Sequence, residues 1–136
     1  MDIQYKRTKE FDSKQLEQLF LSVGWQSGKH PEKLVIAFKN STRVISAWDG
    51  DKLVGLIRGL DDGIWQATID CLLVYSKYQG QGIASTLLEM LKADYKDMYY
   101  LDVIPDEKKN VSFYQKHGFS IMLEGTAMQV VGSAWE

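Results

Sequence analysis

Two glycines flank a glutamine at Gly80-Gln81-Gly82, between an apolar run, Cys71-Leu72-Leu73-Val74, and an apolar-periodic segment that begins at Ile83. The order reads strand, polar loop, helix start. The first N–H groups of a helix have no partner within it and carry the positive end of its dipole, and glycine lets that backbone come close to an anion. The spacing therefore implies a phosphate-bearing ligand at the start of the helix. A P-loop is excluded, because no Gly-Lys-Ser/Thr follows. A dinucleotide fingerprint is approached by Gly80-x-Gly82-x-x-Ser85, with Asp102 about 20 residues on. Against it, Tyr75 to Tyr78 separate the strand from the first glycine, and the chain before Ile69 does not read as repeated βαβ units. A purely structural glycine turn is the other alternative.

A second group of residues could move protons. Asp70 lies in an otherwise apolar strand, where a carboxylate is costly unless paired or open to a cleft. Strand alternation puts it on the face of Thr68, subject to any bulge. Asp102, on a later strand, is the alternative base. Tyr114, in Phe113-Tyr114-Gln115-Lys116-His117-Gly118-Phe119, is either a proton donor or a core aromatic whose hydroxyl finds a local partner. Cys71 reads as core rather than nucleophile. His30 begins a helix and His117 ends one, where a cation is favoured. Two isolated histidines and one cysteine do not make a metal site. Lys77, Lys108, Lys109 and Lys116 read as solvated, with one or two facing phosphate left open.

The elements that must position these groups follow from periodicity. Ile3 to Lys6 is a short strand. Asp12 and Gln15 can form a capping box ahead of a helical face of Leu16, Leu19, Phe20 and Val23, ended by Gly24. Pro31 suits a second helix start, with Leu34, Ala37 and Phe38 on its face and Asn40 at its end. Val44 to Trp48 and Lys52 to Leu60 flank the turn signal Asp49-Gly50. Asp61-Asp62-Gly63 turns into a strand from Ile64 to Val74. The Gly82 to Asp94 helix carries Ile83, Leu87, Met90 and Leu91 inward. Tyr99 to Val103 is a strand, and Asn110 to His117 a short helix stopped by Gly118. Phe119 to Leu123 and Ala127 to Val131 are expected as late strands. Trp25, Trp48 and Trp65 are core candidates, and Trp25 and Arg58 are also candidates to line an acceptor pocket. The sum is a mixed α/β domain with one central sheet.

Composition sets the frame. The 136 residues suit one domain spanning 1–136, with 45% hydrophobic and 25% charged residues, ordinary for a globular chain. No apolar run approaches the ~20 residues of a membrane span, and Met1-Asp2-Ile3-Gln4-Tyr5-Lys6-Arg7 lacks the apolar core of a signal peptide. One cysteine excludes an internal disulfide, which fits a cytoplasmic location. A net charge of −2 argues against generic nucleic-acid binding and fits a cationic substrate.

Gln79-x-x-Gly82-x-Ala84 resembles the Q/R-x-x-G-x-G/A signature of the GNAT superfamily, the acyl-CoA-dependent N-acyltransferases. It follows a strand ending Leu72-Leu73-Val74, as that family's fourth strand does. The later Tyr114-x-x-x-Gly118-Phe119 resembles the family's Y-x-x-x-G-F. The resemblance covers about Ile3 to Val130. Val23-Gly24-Trp25, Leu53-Val54-Gly55-Leu56-Ile57-Arg58 and Asn110-Val111-Ser112-Phe113-Tyr114 look like small bacterial members of unassigned substrate.

The resemblance implies the order strand–helix–helix–three strands–helix–strand–helix–strand, with a cleft for acetyl-CoA where the fourth and fifth strands splay. It implies main-chain contacts from Leu72, Leu73 and Val74 to the pantetheine arm, with an N–H near Val74 as oxyanion donor. It implies a pyrophosphate site at Gln79, Gly80, Gln81, Gly82, Ile83, Ala84 and Ser85, and further cofactor contacts from Asn110 and Phe113. Asn110 as a plain helix cap is the alternative. Where the family often carries an Asn seven residues before its Tyr, this chain has Glu107. Tyr114 is implied as general acid to the leaving thiolate; the base is Asp70, Asp102 or a water chain. The activity implied is acetyl transfer from acetyl-CoA, as cosubstrate, to a primary amine of a small molecule or peptide, by direct transfer in a ternary complex. The alternative is a non-catalytic acyl-CoA-binding sensor or interaction module. No nucleic-acid or membrane partner is expected, and a homodimer is left open.

Overall fold

The computed structural model describes residues 2–133. They fall into two units, one up to Val103 and one from Ile104 onward. The first unit carries β1 (Ile3–Lys6), α1 (Ser13–Ser22), α2 (Pro31–Lys39), β2 (Arg43–Asp49), β3 (Lys52–Asp61), β4 (Gln66–Val74), α3 (Ile83–Asp94) and β5 (Tyr100–Val103). The strands form one sheet in the order β1-β2-β3-β4-β5. β1 to β4 run antiparallel, and β4 pairs β5 in parallel. That antiparallel majority removes the dinucleotide alternative, which needs repeated parallel βαβ units.

Local chemistry explains the boundaries. The capping box at α1 is present: Asp12 Oδ1 accepts the Gln15 N–H at 2.8 Å, and Gln15 Oε1 accepts the Asp12 N–H at 3.2 Å. Pro31 opens α2 and Asn40 closes it. β2 and β3 join through Gly50-Asp51, with Gly50 at φ +58°. β4 starts at Gln66 rather than Ile64. The cause is Asp62, whose Oδ1 takes the N–H groups of Ile64, Trp65 and Gln66 at 2.9, 2.7 and 3.2 Å, so the chain turns there before it can join a ladder.

Neighbouring residues of β3 reveal layers on both faces of the sheet. A Cβ added to Gly55 would meet Ile83 Cγ2 at 3.0 Å and Leu87 Cδ1 at 3.1 Å, so α3 rests directly on this face. Leu56, pointing the other way, joins Leu16, Leu19, Phe20 and Phe38 of α1 and α2 in one buried cluster. The buried face of α3 is Ile83, Leu87, Leu88 and Leu91; Leu88 is fully buried, and Met90 is only half-buried. Trp65 is not core: it is 55% exposed and stacks on Tyr99 at 4.6 Å. The Asp62 turn holds its backbone beyond the end of the strand, which explains the difference.

The second unit holds a 3₁₀ turn, Lys108–Asn110, then α4 (Val111–Lys116), closed by Gly118 at φ +91°. The late strands expected at Phe119 to Leu123 and Ala127 to Val131 do not form among the described residues, and every residue from 120 to 133 is exposed. A strand needs a partner edge to satisfy its N–H and C=O groups. Here the stretch between 120 and 131 bonds locally, with the Gly125 N–H on the Met122 carbonyl at 3.3 Å.

Candidate active site

β4 has two halves. From Gln66 to Ile69 it pairs with β3 on one side and with Tyr100–Val103 of β5 on the other. From Asp70 to Val74 it continues on β3 alone, so the sheet opens between β4 and β5. A bulge marks the change. Arg58 pairs Asp70 and Leu56 pairs Leu73, leaving Ile57 opposite both Cys71 and Leu72. Cys71 takes φ +58°, which no other non-glycine among the described residues does. Such a backbone costs on the order of 1–3 kcal/mol and persists only where its surroundings impose it. Asp70 imposes it here: its Oδ1 accepts the Cys71 N–H at 2.9 Å, and its Oδ2 forms an ion pair with Arg58. Arg58 lies over the Phe38 ring at 5.3 Å, and its Nε is buried without a hydrogen-bond partner.

The open half ends in side chains that fill the core. Leu73 and Val74 are buried, so a ligand would meet their main-chain groups, and Leu72 is half-buried. The chain leaves β4 with the Tyr75 N–H on the Val54 carbonyl at 2.7 Å. Tyr78 donates its hydroxyl to Asp49 at 2.6 Å, a bond that raises its phenol above the ordinary range. The Gln79 side-chain amide donates to the Val74 carbonyl at 3.0 Å, tying the glycine loop to the strand end. Gly80 and Gly82 stand at φ +81° and +83°, a region L side chains rarely adopt, and a Cβ on either would meet nothing within 4 Å. The space before both is open. Gly82 is the N-cap of α3 and has no side chain to close the helix start, which leaves an anion-binding geometry of backbone N–H groups. Gln81 is exposed, Ala84 and Ser85 lie in the first turn, and the Ile83 side chain anchors that turn in the core.

Asp102 lies opposite Thr68 on β5 and accepts the Gln66 side-chain amide at 2.8 Å. The first unit thus gathers Asp70, Leu72, Leu73, Val74, Asp102 and the loop from Gln79 to Ser85. The second unit gathers Asn110, Phe113 and Tyr114. Tyr114 is buried, with Phe113 edge-on at 5.2 Å and Phe119 at 5.7 Å. Burial, then the Asp106 carboxylate, pushes its phenol up to about 12, so it stays protonated at neutral pH and keeps a proton to donate. Asn110 stands at the N-cap position of α4 and makes no side-chain cap bond there. Glu107 pairs with Lys109 at 3.1 Å on the surface. Trp25 packs against Phe20 at 5.8 Å at the margin of the α1–α2 cluster.

Sequence reasoning missed the Arg58–Asp70 pair and the bulge. Arg58 and Asp70 sit on either side of the Asp61-Asp62-Gly63 turn, each the lone charge in an apolar stretch, which is a signal for the pair but not for the register that sets the bulge.

The model of the Acetyltransferase (GNAT) family matches residues 10–119. The chain belongs to this family and is an acetyltransferase. Among curated relatives, the uncharacterized N-acetyltransferase ycf52 of Pyropia yezoensis is 34% identical over 124 residues, spanning 87% of this chain and 70% of that protein. A ycf52-like N-acetyltransferase of Prochlorococcus marinus is 30% identical over 126 residues, spanning 89% and 69%. Among solved structures, a GNAT family acetyltransferase from Streptococcus pneumoniae TIGR4 superimposes with a TM-score of 0.82 at 31% identity, covering 97% of this chain and 99% of that one.

Proposed function

We propose that the protein transfers the acetyl group of acetyl-CoA directly to a primary amine of a small molecule or peptide, within a ternary complex and with both units acting as one domain. The observation that carries this reading is the open half of β4 running into an uncapped glycine helix start. A pantetheine arm can pair with the main chain at Leu72 to Val74 while the pyrophosphate sits on the N–H groups from Gly80 to Ser85. Acetyl-CoA fits this donor set because backbone, not side-chain charge, would hold it. Gln79 serves by bracing the loop, and Asn110 and Phe113 contribute from the second unit.

In the transfer, the amine nitrogen bonds to the thioester carbonyl carbon and the C–S bond breaks. A main-chain N–H near Val74 donates to the developing oxyanion. Tyr114 donates its phenolic proton to the departing thiolate. Asp70 accepts the proton of the incoming ammonium through solvent: its side chain is 48% exposed, and its oxygens keep lone pairs beyond the bonds to Arg58 and Cys71. Asp102 is the alternative acceptor. No described helix is long and apolar enough to cross a membrane; with the lone cysteine, this supports a cytoplasmic location.

The test is a screen of primary amines for release of free CoA thiol, repeated with Tyr114→Phe on the best acceptor. The hydroxyl alone is lost, so kcat should fall roughly 10²-fold while acetyl-CoA binding holds. An unchanged kcat, with chemistry limiting, removes Tyr114 from the mechanism.

A further inference from the structure

β3 places Arg58 among apolar neighbours. Val44 lies opposite it on β2 and is buried, and Leu56, two residues earlier on the same face, belongs to the α1–α2 cluster. The Arg58 side chain is only 17% exposed, and its guanidinium carbon stands 5.3 Å from the centre of the Phe38 ring, itself fully buried on α2. Its Nη2 donates to Asp70 Oδ2, while its Nε is buried without a partner.

Stability does not account for this placement. Taking a guanidinium out of water is costly, and one carboxylate that is itself half exposed offsets that cost poorly. A buried donor left without an acceptor adds to it. An apolar side chain of similar length would fill the space beside Val44, Leu56 and Phe38 with neither penalty. What arginine supplies there, and an apolar residue does not, is a cation with a fixed direction. The Phe38 ring attracts the guanidinium from one side, and Asp70 meets it on the other. Asp70 is thereby held at both oxygens, Oδ2 by Arg58 and Oδ1 by the Cys71 N–H at 2.9 Å. A carboxylate without such bonds would pass among its staggered rotamers.

We propose that Arg58 is a positioning residue for acetyl transfer: anchored on Phe38, it fixes the Asp70 carboxylate in the orientation that takes up the proton of the incoming amine, an inference that rests on the base role proposed for Asp70. Proton transfer needs its acceptor in a defined pose, and misplacement slows it without unfolding the protein. Arg58 touches neither amine nor acetyl-CoA in this role, so its effect passes entirely through Asp70.

A double-mutant cycle on the full chain tests this, with acetyl-CoA and the best amine from the thiol-release screen. Arg58→Met keeps an unbranched apolar stem on Phe38 and removes the cation. It should lower kcat and kcat/KM together by about fivefold, with the amine KM held, because the lost interaction matters in the transition state alone. In an Asp70→Asn background the same substitution should change kcat by less than about twofold, since the group it acts on is already gone. Arg58→Lys, which keeps a cation without the planar fork, replaces Arg58→Met if that variant does not fold, and should show the same dependence on Asp70. Equal losses in the two backgrounds, with Asp70→Asn itself slow, overturn the proposal alone. So does a raised amine KM with kcat held, which makes Arg58 a lining residue of the acceptor pocket. A lowered melting temperature with unchanged kcat per folded molecule also overturns it, leaving Arg58 a purely structural part. Asp70→Asn with unaltered kcat/KM and pH profile fails the base reading itself, and the proposal with it.

Discussion

β4 and the stretch from 119 to 131 carry the same kind of alternating apolar pattern, yet one is a strand and the other is not. The first half of β4 has a ladder on each side, and its Ala67 and Ile69 are buried. The later stretch has no ladder among the described residues, and its apolar residues from Ile121 onward are exposed. Alternation specifies that one face is apolar; it does not supply the neighbouring edge. The same contrast recurs inside β4, where Gln66–Ile69 is held on both sides and Asp70–Val74 on one. The doubly held half belongs to stability, and the singly held half is free to pair with a ligand.

The largest effect should come from the doubly held half. Ile69→Ala removes a side chain only 3% exposed and should cost about 2–5 kcal/mol, read as a lowered denaturation midpoint, with turnover of the remaining folded protein little changed. Stability unchanged by this substitution would erase the distinction between the halves.

A smaller effect, on activity, is expected one residue later. Asp70→Asn should lower kcat/KM at neutral pH by about tenfold, below the usual 10²–10⁴ range because solvent can partly substitute. The deficit should shrink as pH rises and the amine loses its proton unaided. Loss of the Arg58 pair also frees the Cys71 turn, so a lowered melting temperature with an unaltered profile shape would make Asp70 a holder of the bulge. Asp102→Asn would then be measured in the same way.

Much of this contrast is written in residue types. The capping box at Asp12 and Gln15, the Gly50 turn and the inward face of α3 are local, and local chemistry decides them. The glycine loop was legible for the same reason: positive φ and an uncapped helix start are properties of a few consecutive residues. The bulge at Cys71 was not, because it depends on Arg58 lying opposite Asp70, a register between strands. The absent late strands and the exposed Trp65 were not legible either. Their fate turns on whether a neighbour exists, and apolar content alone does not say.

The central claim is that acetyl-CoA is held by the backbone at Gly80 to Ser85. Calorimetric titration of wild-type protein and Gly82→Asp with acetyl-CoA tests it most directly. The added Cβ meets nothing within 4 Å, and Asp enters the left-handed region at modest cost, so the fold should survive. Its carboxylate, however, stands where a phosphate must approach. The account predicts saturable binding of acetyl-CoA to the wild type, none of NAD, and loss of acetyl-CoA binding in the folded variant. Equal acetyl-CoA affinity in both proteins, or binding of NAD in place of acetyl-CoA, would contradict it.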